Sequence, residues 1–222
     1  MIKLIVFDWD DVFTRGASEG YYACYKAGTD SVLDGIDPNA ARAAAKELWG
    51  RPAREVIARI LGKRSDLIEQ AHEHYEKCLF SELFIGKLSI VPDSIETLHA
   101  LQSKYKLAIA TGIHPVLLKE YVMPKFGVSK ELFCQIISTY DLPDLSRGKP
   151  YPDLLENILK TQDVRPDEAI MAGDAAGDVK MAQASGVRPV VVLTGHLSEK
   201  QAQELGVKDV VPTVADIESV LG

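Results

Sequence analysis

From Pro92 onward, short apolar runs alternate with segments of helical periodicity, and this alternation narrows the fold more than any other feature of the chain. A helix near 93–104 precedes the run Leu107–Ala110, and a helix near 115–126 follows it. Ile136 and Ile137 read as a further strand, then come a helix near 152–161, the run Ala169–Gly173, a helix from Asp178, the run Val190–Leu193 and a final helix, strand and helix. Strands separated by helices require crossovers, and crossovers produce a parallel sheet covered on both faces. Residues 2–8 read as one more strand of that sheet. Between 17 and 84 the pattern is helical throughout. There Pro38 and Pro52 stand at first helical positions, Ser65 at an N-cap, and Gly50 and Gly62 at C-termini. Leu67, Ile68, Ala71, Tyr75, Cys78 and Leu79 form one apolar stripe. The expectation is an α/β protein: a Rossmann-like parallel-sheet core from residues 1–14 and 87–222, with an all-helical domain, 15–86, inserted after the first strand.

Composition narrows the partners. At 222 residues and 46% apolar, the chain can bury a main core and a smaller companion. The net charge is −7 and the 25 Lys and Arg are scattered, which argues against a nucleic acid or an anionic membrane as partner. The sequence has neither a signal-peptide apolar region nor a stretch of roughly 18 apolar residues, so a cytoplasmic protein is expected, with monomer and homodimer both open. Cys24, Cys78 and Cys134 are odd in number and widely spaced, without a Cys-x-x-Cys pair. They are expected to be unpaired core or surface residues rather than a disulfide framework or zinc site.

In an open parallel sheet, ligands bind beyond the carboxyl ends of the strands. The polar residues concentrate there. Asp8 and Asp10 end the first strand, and residues two apart on extended backbone project to the same side. Thr111 and Gly112 follow Leu107–Ala110, Asp174 and Asp178 follow Ala169–Gly173, and Lys149 stands at the entrance of a helix opened by Pro150 and Pro152. Four carboxylates, a hydroxyl and an ammonium are thus delivered to one edge. Phosphoryl transfer through a carboxylate uses each of them. A nucleophilic Asp splits one hard displacement into two easier ones. Mg²⁺ offsets the charge of a phosphate dianion. Lys149, Thr111 and the Gly112 amide can hold the remaining phosphoryl oxygens, and Asp10 can act as acid and then base.

With these motifs in this order, Asp8-x-Asp10, Thr111-Gly112, Lys149-Pro150 and Gly173-Asp174-x3-Asp178, the chain resembles the haloacid dehalogenase (HAD) superfamily, and within it the phosphoglycolate-phosphatase-like branch with a helical cap. The resemblance implies a HAD-like core with Asp8 as nucleophile and Asp10 as acid and base. It makes Thr111 and Lys149 phosphate binders, and has Mg²⁺ held by Asp8, the backbone carbonyl of Asp10, and Asp174. Asp178 is either an outer ligand or the partner of Lys149. The implied activity is that of a Mg²⁺-dependent phosphatase acting on a small phosphate monoester such as phosphoglycolate or a sugar phosphate, through an aspartyl phosphate. A phosphomutase or a catalytically silent scaffold of the same fold are the alternatives. A response-regulator receiver shares the Asp, Thr and Lys chemistry but has no place for a large helical insertion.

The chain departs from the family pattern at Asp11, where glycine usually follows the second Asp. Asp tolerates positive φ, so the turn is expected to survive with Asp11 facing solvent. Arg15 and Arg51 are candidates for reading a second anionic group on the substrate. His72, His74, Glu76 and Cys78 have metal-compatible spacing but read as a solvated helix surface. His114 is close enough in sequence to Thr111 to touch substrate, and reads equally as a loop residue near a helix start. His99 and His196 carry no separable signal.

Overall fold

The computed structural model describes residues 1–221, and the chain divides into two compact units: Met1–Arg15 together with the chain from Ser89 onward, and Gly16–Leu88. The first unit begins with β1 (Leu4–Phe7), four apolar residues with no exposed surface. A strand buried on both faces has no polar side to show, hence the unbroken apolar run. β2 (Thr14–Arg15) follows, and the chain then enters the second unit.

That unit consists of α1 (Ala17–Asp30), α2 (Pro38–Glu47), α3 (Ala53–Leu61) and α4 (Ile68–Leu79). Asp37 caps α2 by accepting from the Asn39 amide at 2.9 Å. Pro52 lies at the cap of α3 rather than in its first turn, and Ser65 begins a short 3₁₀ turn before α4 rather than capping it. The α4 stripe meets α1 closely. A Cβ at Gly28 of α1 would fall 2.7 Å from the Ala71 carbonyl oxygen, and Tyr25 stacks on Tyr75 with ring centroids 4.6 Å apart. The same approach brings Cys24 and Cys78 together as a disulfide, 54 residues apart in sequence and 5.3 Å apart at Cα. This corrects the expectation that the cysteines are unpaired. Their spacing carries no signal because the pairing depends on which faces α1 and α4 present to each other. Cys134 is free and exposed.

The chain returns through β3 (Ser89–Ile90), which pairs antiparallel with β2, Thr14 opposite Ile90 and Arg15 opposite Ser89. This two-residue ribbon is too short for periodicity to show. Next come α5 (Ser94–Gln102), β4 (Lys106–Thr111), α6 (Pro115–Leu117) and α7 (Met123–Lys125). Between α6 and α7, where one continuous helix was expected, Leu118–Val122 forms a π turn. Pro124 lacks an amide hydrogen and its ring crowds the carbonyl four residues back, which favours this wider winding. β5 (Gln135–Ser138), α8 (Asp153–Gln162), β6 (Ala169–Gly173), α9 (Ala176–Ala184), β7 (Arg188–Val192), α10 (Glu199–Glu204) and β8 (Asp209–Val211) follow. The last helical segment, Val214–Val220, is 3₁₀.

The six long-range strands form one parallel sheet in the order β5-β4-β1-β6-β7-β8. Leu4 and Val6 pack with Leu154, Leu155 and Ile158 of α8 and Met181 of α9 in one continuous core. Each such side chain stabilises the fold by about 1.5–3 kcal/mol when fully buried. The central strand β1 has β4 on one side and β6 on the other, so connections leave it in opposite directions and open a crevice at its carboxyl end. No helix among the described residues is long and apolar enough to cross a membrane.

Candidate active site

Strand register decides which residues meet. Phe7, the last residue of β1, pairs with Ile109 on β4 and Ala172 on β6. The Asp8 amide extends that ladder by donating to the Ala172 carbonyl at 2.9 Å. Asp8 therefore leaves the sheet level with Ala110 and Gly173, one residue before Thr111 and Asp174. The chain then turns sharply. Trp9 is fully buried against Phe13, ring centroids 5.2 Å apart, and the Phe13 amide donates to the Trp9 carbonyl at 3.0 Å. Asp10 is 9% exposed.

Lys149, just ahead of α8, lies between two of the predicted carboxylates. Its Nζ is 2.9 Å from Asp8 Oδ1 and 2.6 Å from Asp178 Oδ1. Asp178 is fixed from the other side as well, accepting from the Ala175 amide at 3.1 Å in the first turn of α9. Gly173 allows this approach, since a Cβ there would fall 2.4 Å from that of Asp178. Asp174 is held by the segment after β7. Its carboxylate accepts from the His196 amide at 2.9 Å, and its carbonyl accepts from the Leu197 amide at 2.9 Å. A Cβ on Gly195 would fall 1.9 Å from the Asp174 carboxylate, so only glycine fits.

Asp8, Asp174 and Asp178 each offer an oxygen, and these atoms lie within 4.8 Å of one another. Thr111 shares the sheet edge but is buried, its hydroxyl accepting from the Ile113 amide at 3.4 Å, while Gly112 is exposed with open space around it. Arg15 lies exposed on β2. Arg51, in the helical unit, forms a bidentate pair with Glu55 at 3.0 and 2.9 Å.

The cluster is buried and crowded. Burial pushes the Asp178 carboxyl up to about 6, with Lys149 pulling it back and Asp8 adding to the rise. Burial, then Asp178 and Asp8, hold Asp174 well above the usual carboxylate range. Burial alone would lower the Lys149 ammonium, but Asp178 and Asp8 raise it above its ordinary value. One lysine thus faces more negative charge than it neutralises. A buried set of carboxylate oxygens with residual charge fits a hard divalent cation such as Mg²⁺. It also makes metal-free stability depend on pH. Because the folded Asp178 holds its proton up to about pH 6, against 3.8 ordinarily, its contribution is complete below about 3.8 and lost as pH rises through about 6. Metal-free protein should accordingly melt at a lower temperature at pH 7 than at pH 5, and excess Mg²⁺ should narrow the difference; a profile rising towards pH 7 contradicts the reading.

Two expectations change. Asp11 does not face solvent. It has φ 56, as the turn requires, but is only 5% exposed, because the segment after β7 covers it. The Thr194 hydroxyl donates to its carbonyl, and His196 Nε2 lies 4.0 Å from its Oδ2. His196 is thus a member of the cluster, and its one signal in the sequence is its place beyond a strand end, next to Thr194 and Gly195. The helix face at 72–78 is not solvated at His72 or Cys78: His72 is 4% exposed, with burial lowering its pKa, and Cys78 is consumed by the disulfide. His114 caps α6, its Nδ1 accepting from the Val116 amide at 3.3 Å, with its ring against Tyr140 at 4.9 Å.

The family model for haloacid dehalogenase-like hydrolases matches residues 2–186. A phosphoglycolate phosphatase of Rhodospirillum rubrum is 26% identical over 231 aligned positions, spanning 100% of this chain and 92% of that protein. Pyrophosphatase PpaX of Halalkalibacterium halodurans is 28% identical over 152 positions, 68% of this chain and 64% of that one. Among solved structures, a haloacid dehalogenase-like family hydrolase from Streptococcus pneumoniae superposes with a TM-score of 0.82 at 20% identity, over 100% of this chain and 99% of that one.

Proposed function

Since the chain belongs to the haloacid dehalogenase-like hydrolases, we propose that it is a Mg²⁺-dependent phosphatase of small phosphorylated metabolites, working through an aspartyl phosphate on Asp8. The observation that carries this reading is the position of Lys149, which clamps Asp8 at the mouth of the central strand while Asp178 holds the lysine from behind. A nucleophile must be aimed, and a positioned carboxylate gains effective concentration over a free one.

In the proposed cycle an Asp8 oxygen forms a bond to phosphorus as the bond to the leaving oxygen breaks, and Asp10 delivers a proton to that oxygen. Asp10 then takes a proton from water as the water attacks phosphorus, releasing inorganic phosphate and restoring Asp8. Lys149, the Thr111 hydroxyl and the Gly112 amide hold the non-bridging oxygens. Asp8, the Asp10 carbonyl, and Asp174, with Asp178 behind them, would hold Mg²⁺, which neutralises the phosphate charge. Arg15 and Arg51 are proposed to read a second anionic group, which places phosphoglycolate among the first compounds to try, with pyrophosphate beside it because a relative is a pyrophosphatase. The proposed setting is cytoplasmic, as a monomer or homodimer, with neither nucleic acid nor membrane as partner.

Release of inorganic phosphate from a panel of phosphorylated metabolites, with and without Mg²⁺, tests the reading. Stoichiometric, metal-dependent release supports a phosphatase, whereas conversion to an isomer without release replaces it with a mutase. Arg51→Ala is expected to lower kcat/KM for phosphoglycolate about tenfold more than for a neutral sugar phosphate, the share of a charge-assisted contact. An equal loss on both removes Arg51 from substrate reading.

A further inference from the structure

We propose that Asp11, Asp174 and His196 form a second divalent-cation site, of mixed carboxylate and imidazole character, which takes an ion such as Co²⁺, Mn²⁺ or Zn²⁺ beside the oxygen-lined group of Asp8, Asp174 and Asp178. One donor atom from each of the three lies within 4.8 Å of the other two. The 4.0 Å between Asp11 Oδ2 and His196 Nε2 is too long for a hydrogen bond. It suits two ligands of one ion, since bonds of about 2.0–2.2 Å place ligand atoms about 3–4 Å apart.

The arrangement is built rather than incidental. Asp11 and Asp174 are 5% and 2% exposed, while the His196 side chain keeps 25% of its surface and leaves the group accessible to an ion. The segment after β7 secures both carboxylates: the Thr194 hydroxyl bonds the Asp11 carbonyl, the His196 amide bonds the Asp174 carboxylate, and Gly195 lies directly against it. Turn geometry alone does not call for Asp11. At φ 56 glycine is relaxed and Asp is tolerated, so the turn does not require a carboxylate, yet this chain buries one there beside others.

Charge supplies an independent argument. Asp10, Asp11, Asp174 and Asp178 are buried at this sheet edge, where Lys149 pairs with Asp8 and Asp178. One Mg²⁺ leaves this set negative, and a phosphate dianion must still enter it. Asp174 has two carboxylate oxygens, so it can serve both ions, as bridging ligands do in two-metal sites. The imidazole distinguishes the two positions, because nitrogen favours Co²⁺, Mn²⁺ or Zn²⁺ over Mg²⁺.

Equilibrium dialysis of the chelator-treated full chain against Co²⁺, in excess Mg²⁺ and without substrate, tests the site. The parent is expected to retain Co²⁺ with the visible absorption of a nitrogen-ligated ion. Asp11→Gly and His196→Gln should each weaken retention at least about 10- to 100-fold, the range already seen when a ligand's supporting partner is lost. Asp8→Asn should leave it in place. Glycine suits the turn, and His196→Gln keeps the backbone amide that holds Asp174, so both variants are expected to melt like the parent. Equal Co²⁺ retention by both variants, or none by the parent, overturns the proposal. Because no substrate enters the measurement, failure of the phosphatase reading appears separately, as absent phosphate release.

Discussion

Asp8→Asn is expected to lower phosphate release by about 10⁴-fold or more while leaving the fold intact, a loss of roughly 5 kcal/mol of transition-state stabilisation. The substitution is isosteric, and the backbone amide that ties residue 8 to Ala172 is unaffected. What disappears is the anionic oxygen that attacks phosphorus and one contact of Lys149. Stability should move the other way in metal-free protein, because Asp8 is among the charges that push Asp174 and Asp178 up. A neutral amide relieves that repulsion, so the metal-free melting temperature at pH 7 should hold or rise. Single-turnover assays together with melting curves check both halves. Turnover within about tenfold of the parent would assign the nucleophile elsewhere.

Lys149→Met is expected to damage activity and stability together. Methionine fills a similar slot but leaves Asp8 and Asp178 facing each other without the ammonium that now lies 2.9 and 2.6 Å from them. Removing one partner of a buried ion pair typically costs about 3–5 kcal/mol, since the charge left behind remains desolvated. Turnover should fall about 10³-fold or more, because a preorganised cation at the phosphoryl group and the clamp on Asp8 are lost at once. Lys149 also lowers the Asp178 pKa. Without it that group should hold its proton to still higher pH, and the stability lost on going from pH 5 to pH 7 should grow. An unchanged melting temperature at pH 7 would show that the pair contributes nothing net.

Much of this architecture was legible in the chain because a central parallel strand cannot hide its chemistry. β1 is buried on both faces, so it must be apolar throughout, and the carboxylates of Asp8 and Asp10 mark where the strand ends, although Trp9 and Asp10 remain buried beyond it. The same contrast marks Thr111 at the end of β4 and Asp174 just after β6. Helix boundaries were less legible where local rules competed: Pro124 widened a helix into a π turn, and Ser65 began a 3₁₀ turn instead of capping. The ribbon of β2 and β3 left no trace, since two residues hold no period.

Local periodicity and strand-end chemistry determined the α/β core, the helical insertion and the residues at the sheet edge, because each follows from backbone geometry acting over a few neighbouring residues. Tertiary structure alone decided who touches whom across long separations. It paired Cys24 with Cys78 through the approach of α1 to α4, placed Lys149 between Asp8 and Asp178, and folded the segment after β7 over Asp11 so that a turn residue became a buried carboxylate opposite His196. Such contacts depend on strand register and helix packing, which many distant residues set together, so no spacing within the chain announces them.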